Sequence, residues 1–186
     1  MNRIPIITNP KMFDAVVAEI QTYLGGRFQW LDHVFGIAEK IIRYNADGRK
    51  FTCATVFMGD EQYEQVEPCK ELGNFCFFVL RDPQTVDTND RDKISAPFSV
   101  IFWYDMRQVS SEPTSRNRED IKGQILQALN AARPMTGSLS FNKIYEDPEK
   151  IFSDYSYDHT HNQFLMSPYA GIRIDGEITT TIPCYD

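Results

Sequence analysis

The stretch FSVIFWYDM at residues 98–106 is almost entirely apolar and aromatic. A second run of the same kind, FCFFVL, occupies residues 75–80. Apolar runs of this length without alternation are typical of strands that are covered on both faces. The sequence therefore predicts a sheet with central strands at these two positions, joined by a mobile, charge-rich loop at residues 87–93.

Two further segments extend the predicted sheet. Residues 37–58 contain two strand-like runs around an Asn-Ala-Asp-Gly turn at residues 45–48, where Asp-Gly supplies positive φ angles, and they indicate a β-hairpin. Near the C-terminus, period-two alternation predicts a strand with one buried face. Gly176 lies at an inward position of that strand and indicates a bulge or a close approach of another element. The inward isoleucines are Ile172, Ile174, Ile178 and Ile182.

Two amphipathic segments predict the main helices. We expect the first to begin at Pro10, with Asn9 as its N-cap, and to end at Gly25–Gly26, which supply a left-handed exit. The second lies within residues 117–134, with a capping arrangement at its start and a proline just past its end.

These elements predict an α+β fold, a mostly antiparallel sheet with two main helices packed on one face. A chain of 186 residues buries roughly 70% of its extended surface on folding, so it needs no disulfide or metal for stability. We expect a single domain over residues 1–186, with long loops at about 82–95 and 145–169.

Composition limits the kinds of partner. The chain has 19 Lys and Arg against 26 Asp and Glu, a net charge of -7. Phosphate binding needs clustered Lys and Arg, so we predict neither sequence-specific nucleic-acid binding nor an anionic membrane partner.

No secretory signal pattern or long apolar span is recognisable, which favours the cytoplasm. The four cysteines form no CxxC pair, which indicates reduced and mostly buried thiols.

Three neighbouring residues, Asp158, His159 and His161, are the candidate metal ligands, with Asp154 close by. A His-x-His pair beside carboxylates can supply nitrogen and oxygen ligands to a transition metal. The alternative is a hydrogen-bonded surface loop, and we predict no bound metal or cofactor. Short catalytic motifs such as GxGxxG, GxSxG and HExxH do not occur, so no catalytic residue is predicted.

An acidic run begins with Asp60, Glu61 and Glu64 and continues through Glu67 to Glu71. Such a run is usually a solvated edge. The alternative is an acidic surface that repels nucleic acid, which matters if the protein lines a conduit for DNA.

Aromatic residues and methionine are concentrated between residues 155 and 169. They form either a lid over the core or a subunit interface, because interface centres favour the same residue types. The candidate interface residues are Tyr155, Tyr157, Phe164, Met166 and Tyr169.

Three stretches carry a resemblance to a known class of protein: RNREDIK at 116–122, KIYE at 143–146, and NQFLMSPYAGIRI at 162–174. In pattern and order the chain resembles the small proteins encoded among the tail-assembly genes of long-tailed phages and prophages of Bacteroides-type bacteria. It is similar in particular to the tail-terminator, or tail-completion, class. Members of that class are small α/β proteins that assemble into a ring, cap the tail tube and join it to the head.

The resemblance implies a non-enzymatic virion assembly protein. Its partners would be further copies of itself in a ring, with a hexamer as the candidate, the tail-tube protein and the head-tail connector. It would assemble in the cytoplasm of the bacterial host and reside in the virion tail. A head-tail joining or other minor tail protein is the nearest alternative. A small metal-binding domain or enzyme using His159 and His161, and a monomeric binding module, are alternatives of other classes.

Overall fold

The computed structural model describes residues 7–44, 46–59, 61–89, 92–110, 118–156 and 162–183. In these residues the chain forms one sheet, four α-helices and a short 3-10 turn at Asn162–Leu165. The helices are α1 (Phe13–Arg27), α2 (Met106–Val109), α3 (Arg118–Ala131) and α4 (Pro148–Ile151). The strands are β1 (His33–Tyr44), β2 (Lys50–Gly59), β3 (Gln62–Val66), β4 (Phe75–Leu80), β5 (Thr85–Asp87), β6 (Lys93–Asp105), β7 (Gly137–Tyr145) and β8 (Tyr169–Thr181).

The sheet is mostly antiparallel. Its strand order is β3-β2-β1-β4-β6-β8-β7, and the short β5 pairs with β6 beyond the end of β4. Among the described pairs, β1 with β4 is the parallel one. The two apolar runs form β4 and β6, which pair with Phe75 opposite Trp103 and Leu80 opposite Phe98. The predicted α+β fold is therefore confirmed.

Both main helices pack on one face of the sheet, as predicted. From α1, Val16, Ile20 and Leu24 are buried, and from α3, Ile121 and Ile125. Full burial of a side chain of this size contributes about 1.5–3 kcal/mol to folding. The sheet residues that share this core include Phe78, Val100, Phe102, Ile172 and Ile174.

The opposite face of the sheet has a core of its own. Side chains alternate along a strand, so Phe77, Ile101 and Trp103 point away from the main helices. Ile151 of α4 and the following Phe152 cover them. Both faces of the central strands are therefore buried, which explains their unbroken apolar sequence.

The predicted hairpin is confirmed as β1 and β2. The two strands pair from Ala38 opposite Val56 to Tyr44 opposite Lys50, and Gly48 takes a φ of 76° in the turn. β1 first pairs with β4, then shifts its register. From residue 38 onward β1 pairs with β2 alone among the described strands, so the hairpin continues beyond the centre of the sheet.

The ends of α1 differ from the expectation. Met12, rather than Asn9, precedes the first helical residue, and it makes no side-chain capping hydrogen bond. Gly25–Gly26 lies inside the helix, because the N–H of Phe28 donates to the Leu24 carbonyl oxygen at 2.8 Å and continues the turn. Both capping predictions were wrong. Asn9 takes a φ of 57°, away from the extended conformation of an N-cap residue, and at the other end packing of the buried last turn against the sheet outweighs the conformational freedom of glycine. The capping arrangement expected at Asn117 lies outside the described residues.

The connection between β4 and β6 was expected to be a loop over about residues 82–95, but part of it is strand. Residues 85–87 pair with 93–95 as β5 and β6, and the Asp87 carboxylate accepts the N–H of Asn89 at 2.9 Å. Charge density suggested a mobile loop here, but the backbone pairing forms a hairpin. The other expected loop, about 145–169, lies between β7 and β8 and contains α4 and the short 3-10 turn.

The last strand confirms one expectation and corrects another. A Cβ atom at Gly176 would overlap the Ser140 carbonyl, and the register of β7 shifts between Phe141 and Lys143 beside it. The close approach expected there is therefore present. The outward face of β8 was expected to meet solvent, but Arg173 on that face is buried.

Candidate functional site

The aromatic segment packs largely onto the sheet. The Tyr155 ring contacts the Phe77 ring edge-on at 6.1 Å, and burial raises the pKa of Tyr155. Phe164 is buried and contacts Tyr169 at 5.1 Å. Met166, in contrast, is 61% exposed. The described members therefore form a lid with one exposed methionine, while their role in an interface remains a prediction. Tyr157 lies outside the described residues.

A network of two arginines and two aspartates lies beside this lid. Arg81 Nη2 is 2.5 Å from Asp154 Oδ2. Arg173 binds Asp175 through Nε–Oδ1 at 2.7 Å and Nη2–Oδ2 at 2.9 Å. Two longer pairs, Arg81 with Asp175 at 3.7 Å and Arg173 with Asp154 at 3.6 Å, join all four groups. The Ser99 hydroxyl accepts from Arg81 and donates to Asp175, which completes the network.

Arg173 also anchors the polypeptide that covers it. Its Nη1 donates to the Lys150 carbonyl oxygen at 3.1 Å and to Ser153 Oγ at 2.7 Å. The Tyr145 ring lies 5.3 Å from the guanidinium carbon. One side chain of β8 thus holds both α4 and the turn after it against the sheet.

The electrostatics of the network favour its charged state. Burial raises the pKa of Asp175, but hydrogen bonds from Arg173 and Ser99 outweigh burial and hold that pKa below its ordinary value. Burial also disfavours the charged form of Arg173 and lowers its pKa. The ion pair with Asp175 outweighs burial, so the pKa of Arg173 lies above its ordinary value. The network therefore depends on both partners remaining ionised.

The sequence interpretation missed this network. The alternation of β8 assigned Arg173 and Asp175 to a solvated face, although Arg-x-Asp in a strand places opposite charges side by side. That spacing was the available signal. Arg81 and Asp154 join the pair through tertiary packing, which no local pattern indicates.

An open acidic groove of about 660 Å³ lies where β3 and the following loop meet the start of β1. Four carboxylates and the ammonium group of Lys70 line it, so its charge is strongly negative. Cys69 in its lining is partly buried and Leu72 is buried, so the groove surface is mainly polar. We call this feature the acidic groove. Its carboxylates belong to Asp32, Glu64, Glu67 and Glu71.

A buried asparagine fixes one wall of the acidic groove. The Asn74 amide accepts the N–H of Asp105 at 2.7 Å and donates to the Trp30 carbonyl oxygen at 2.8 Å and Gln108 Oε1 at 3.0 Å. Its main-chain N–H donates to Asp32 Oδ2 at 2.8 Å. With these groups satisfied inside the protein, Asn74 holds the wall in place rather than offering a binding group.

The predicted acidic surface is divided between two places. Glu64 lines the acidic groove, whereas Glu61 is exposed on the turn before β3, with a φ of 60°. Asp60 lies outside the described residues. A role for these residues in lining a conduit remains a prediction.

The outer end of the β1–β2 hairpin presents a different surface. Ile42 and Tyr44 are 50% and 69% exposed, and Lys40 and Lys50 beside them are also exposed. Among the described residues, no ion pair involves either lysine. We call these four residues the hairpin-end face.

The metal ligands named from the sequence, Asp158, His159 and His161, lie outside the described residues. Asp154, their expected neighbour, pairs with Arg81. Within the described ranges no group of three or more His, Cys, Asp or Glu side chains is arranged to hold a metal. Cys53 and Cys76 are buried free thiols, and Cys69 is partly buried.

No helix in the described part of the chain is long and apolar enough to cross a membrane. No protein-family model matches the chain, and no curated protein matches it significantly. Its function is therefore inferred from the geometry of these surfaces and from the sequence pattern.

Proposed function

We propose that this protein is a non-enzymatic virion assembly protein of the tail-terminator class, which caps a phage or prophage tail tube and joins it to the head. Two lines support the proposal. The sequence resembles that class in pattern and order. The α+β architecture, with two helices on one face of a sheet, agrees with the fold that the resemblance implies.

One observation carries the ring-forming part of the proposal. A subunit of a closed ring contacts its neighbours through two different patches, because every contact in a ring is head-to-tail. The acidic groove and the hairpin-end face are two such patches, opposite in charge. Along β1 and its partners, Glu64 is level with Ala38, six residues from Tyr44. At about 3.3 Å per residue Tyr44, at the outer end of the hairpin-end face, lies about 20 Å along the strands from the level of Glu64, whereas Lys40 lies only two residues from it.

The same proposal assigns the partners. Copies of the chain form the ring, with a hexamer as the proposed number, and the ring binds the tail-tube protein on one side and the head-tail connector on the other. The exposed Met166 at the edge of the lid is a proposed contact for one of these partners. Assembly takes place in the cytoplasm of the bacterial host, and the protein remains in the virion tail.

Exposed carboxylates would help DNA to pass through such a ring without binding to its wall. Glu61 on the turn before β3 carries negative charge into solvent. Like charges repel, so carboxylates facing a lumen keep phosphate groups from binding to its wall. Asp60 is proposed for the same role, whereas Glu64 lines the acidic groove.

Light scattering across a concentration series, with negative-stain imaging, tests the proposal. We expect a ring-sized species with a central hole, either alone or at the ends of purified tail tubes. A protein that remains monomeric and does not bind tail tubes would contradict the proposed function.

A further inference from the structure

The hairpin-end face is an apolar strip between two positive charges. Alternate residues of a strand share a face, and so do residues directly opposite each other in an antiparallel pair. Tyr44 lies opposite Lys50, so Lys40, Ile42, Tyr44 and Lys50 project to the same side of the hairpin. Ile42 and Tyr44 are the two apolar side chains, and an ammonium group lies on each side of them.

This face continues a buried face of the sheet. Ala38, Ala54 and Val56 project to the same side and are buried in the second core. Beyond them, Ile42 and Tyr44 remain 50% and 69% exposed, although the N–H of Ser156 donates to the carbonyl oxygen of Thr52, opposite Ile42, at 2.7 Å. Apolar surface that continues a core and is left in contact with water is typical of an interaction site.

The acidic groove complements this face in charge. Its four carboxylates outnumber the single ammonium group of Lys70 and match the two ammonium groups of Lys40 and Lys50. The Asn74 hydrogen bonds hold the groove wall in a fixed shape, so its shape is present before a partner binds. A preformed site loses little ordering entropy on binding.

The hairpin cannot enter the groove of its own chain. Tyr44 lies about 20 Å along the paired strands from the level of Glu64, and a paired strand does not fold back on itself. Contact of Tyr44 with the groove therefore requires a second molecule.

We propose that the hairpin-end face of one copy docks in the acidic groove of the next copy, and that this repeated head-to-tail contact builds the ring. The inference rests on the proposed function for the closed ring, and it names the contact that forms it. Head-to-tail contacts close when the rotation between neighbours returns to the start.

Charge reversal with exchange of partners tests the contact. One variant carries Lys40→Glu and Lys50→Glu, and the other carries Glu67→Lys and Glu71→Lys. Each variant alone brings like charges together, so we expect self-association to weaken about tenfold or more. In an equal mixture each reversed surface meets an opposite charge, so association should return. The four changes in one chain should restore it as well.

The matched control is Lys143→Glu with Glu149→Lys. Both residues are exposed and lie on β7 and α4, away from the groove and the hairpin. We expect this control to associate like the unchanged protein. Circular dichroism and thermal unfolding should be alike for all variants, since surface changes of this kind usually shift stability by about 0.5 kcal/mol or less.

Salt provides a second measurement on the unchanged protein. Raising NaCl from about 0.05 M to about 0.5 M screens exposed charges, so light scattering should show weaker association at the higher concentration. Three outcomes overturn the contact: a monomer at every concentration in low salt, reversal variants that associate normally, or loss that the mixture does not restore.

Binding to tail tubes separates this inference from the proposed function. A protein that caps tubes while its reversal variants associate normally retains the function and loses the contact. A protein that shows the partner exchange but does not bind tubes retains the contact and loses the function.

Discussion

Arg173 and Asp175 lie two residues apart on β8, so their side chains project to the same face and form a two-contact ion pair. The side chains are only 10% and 17% exposed. The same guanidinium group binds the main chain at Lys150 and the Ser153 hydroxyl. This pair therefore joins the sheet to the segment that carries the aromatic lid.

Replacing Arg173 with methionine should destabilise the fold. The change leaves two aspartates near each other with one fewer guanidinium partner, and loss of one partner of a buried pair costs about 3–5 kcal/mol. Urea denaturation measures the free energy of unfolding. The control is Arg107→Met, because the Arg107–Asp105 ion pair is more exposed and its loss should cost less. An equal loss in the two variants would contradict the importance given to the network.

Acid should weaken the same network. The pKa of Asp175 is held below its ordinary value of 3.8, so its ionised form stabilises the folded state. This contribution is complete above the ordinary value and is lost as the pH falls through the lower folded value. The free energy of unfolding, measured by urea at a series of acidic pH values, should fall in that range. In the Asp175→Asn variant this part of the pH dependence should be smaller, and an unchanged slope would contradict the assignment.

The patterns that predicted the fold are local ones. The continuous apolar runs of β4 and β6, the Asp-Gly turn of the hairpin and the spacing of α3 each record burial within one element. Local burial leaves a periodic trace in sequence. For the same reason Gly176 was recognised from its inward position alone.

The parts that could not be predicted depend on contacts between distant segments. Gly25–Gly26 remains helical because the last turn of α1 is buried against the sheet. Arg173 is covered because α4 returns over β8. The acidic groove needs β3 and the start of β1 to meet, which the acidic run does not indicate.

The lid and the exposed methionine should respond differently to substitution. Tyr155→Ala removes a ring that packs on Phe77, so we expect a loss of about 2 kcal/mol in unfolding free energy. Met166→Ser changes an exposed side chain and should alter stability by about 0.5 kcal/mol or less. If Met166 contacts a tail partner, the serine variant should bind tail tubes more weakly. Equal tube binding by the serine variant and the unchanged protein would remove Met166 from the interface.

Reversal of charge at residues 60 and 61 tests the proposed lumen. Asp60→Lys with Glu61→Lys replaces carboxylates by ammonium groups, which attract phosphate. Rings of this variant should retain DNA that rings of the unchanged protein release, as measured by filter binding at low salt. Glu64 is left unchanged because it also lines the acidic groove. If the variant rings release DNA as readily, these residues do not face the conduit.

Negative-stain imaging of purified tail tubes mixed with the protein tests the central claim most directly. The account predicts a ring bound at one end of each tube, with a central hole in end-on views. Tubes whose ends remain bare at saturating protein concentration would contradict it.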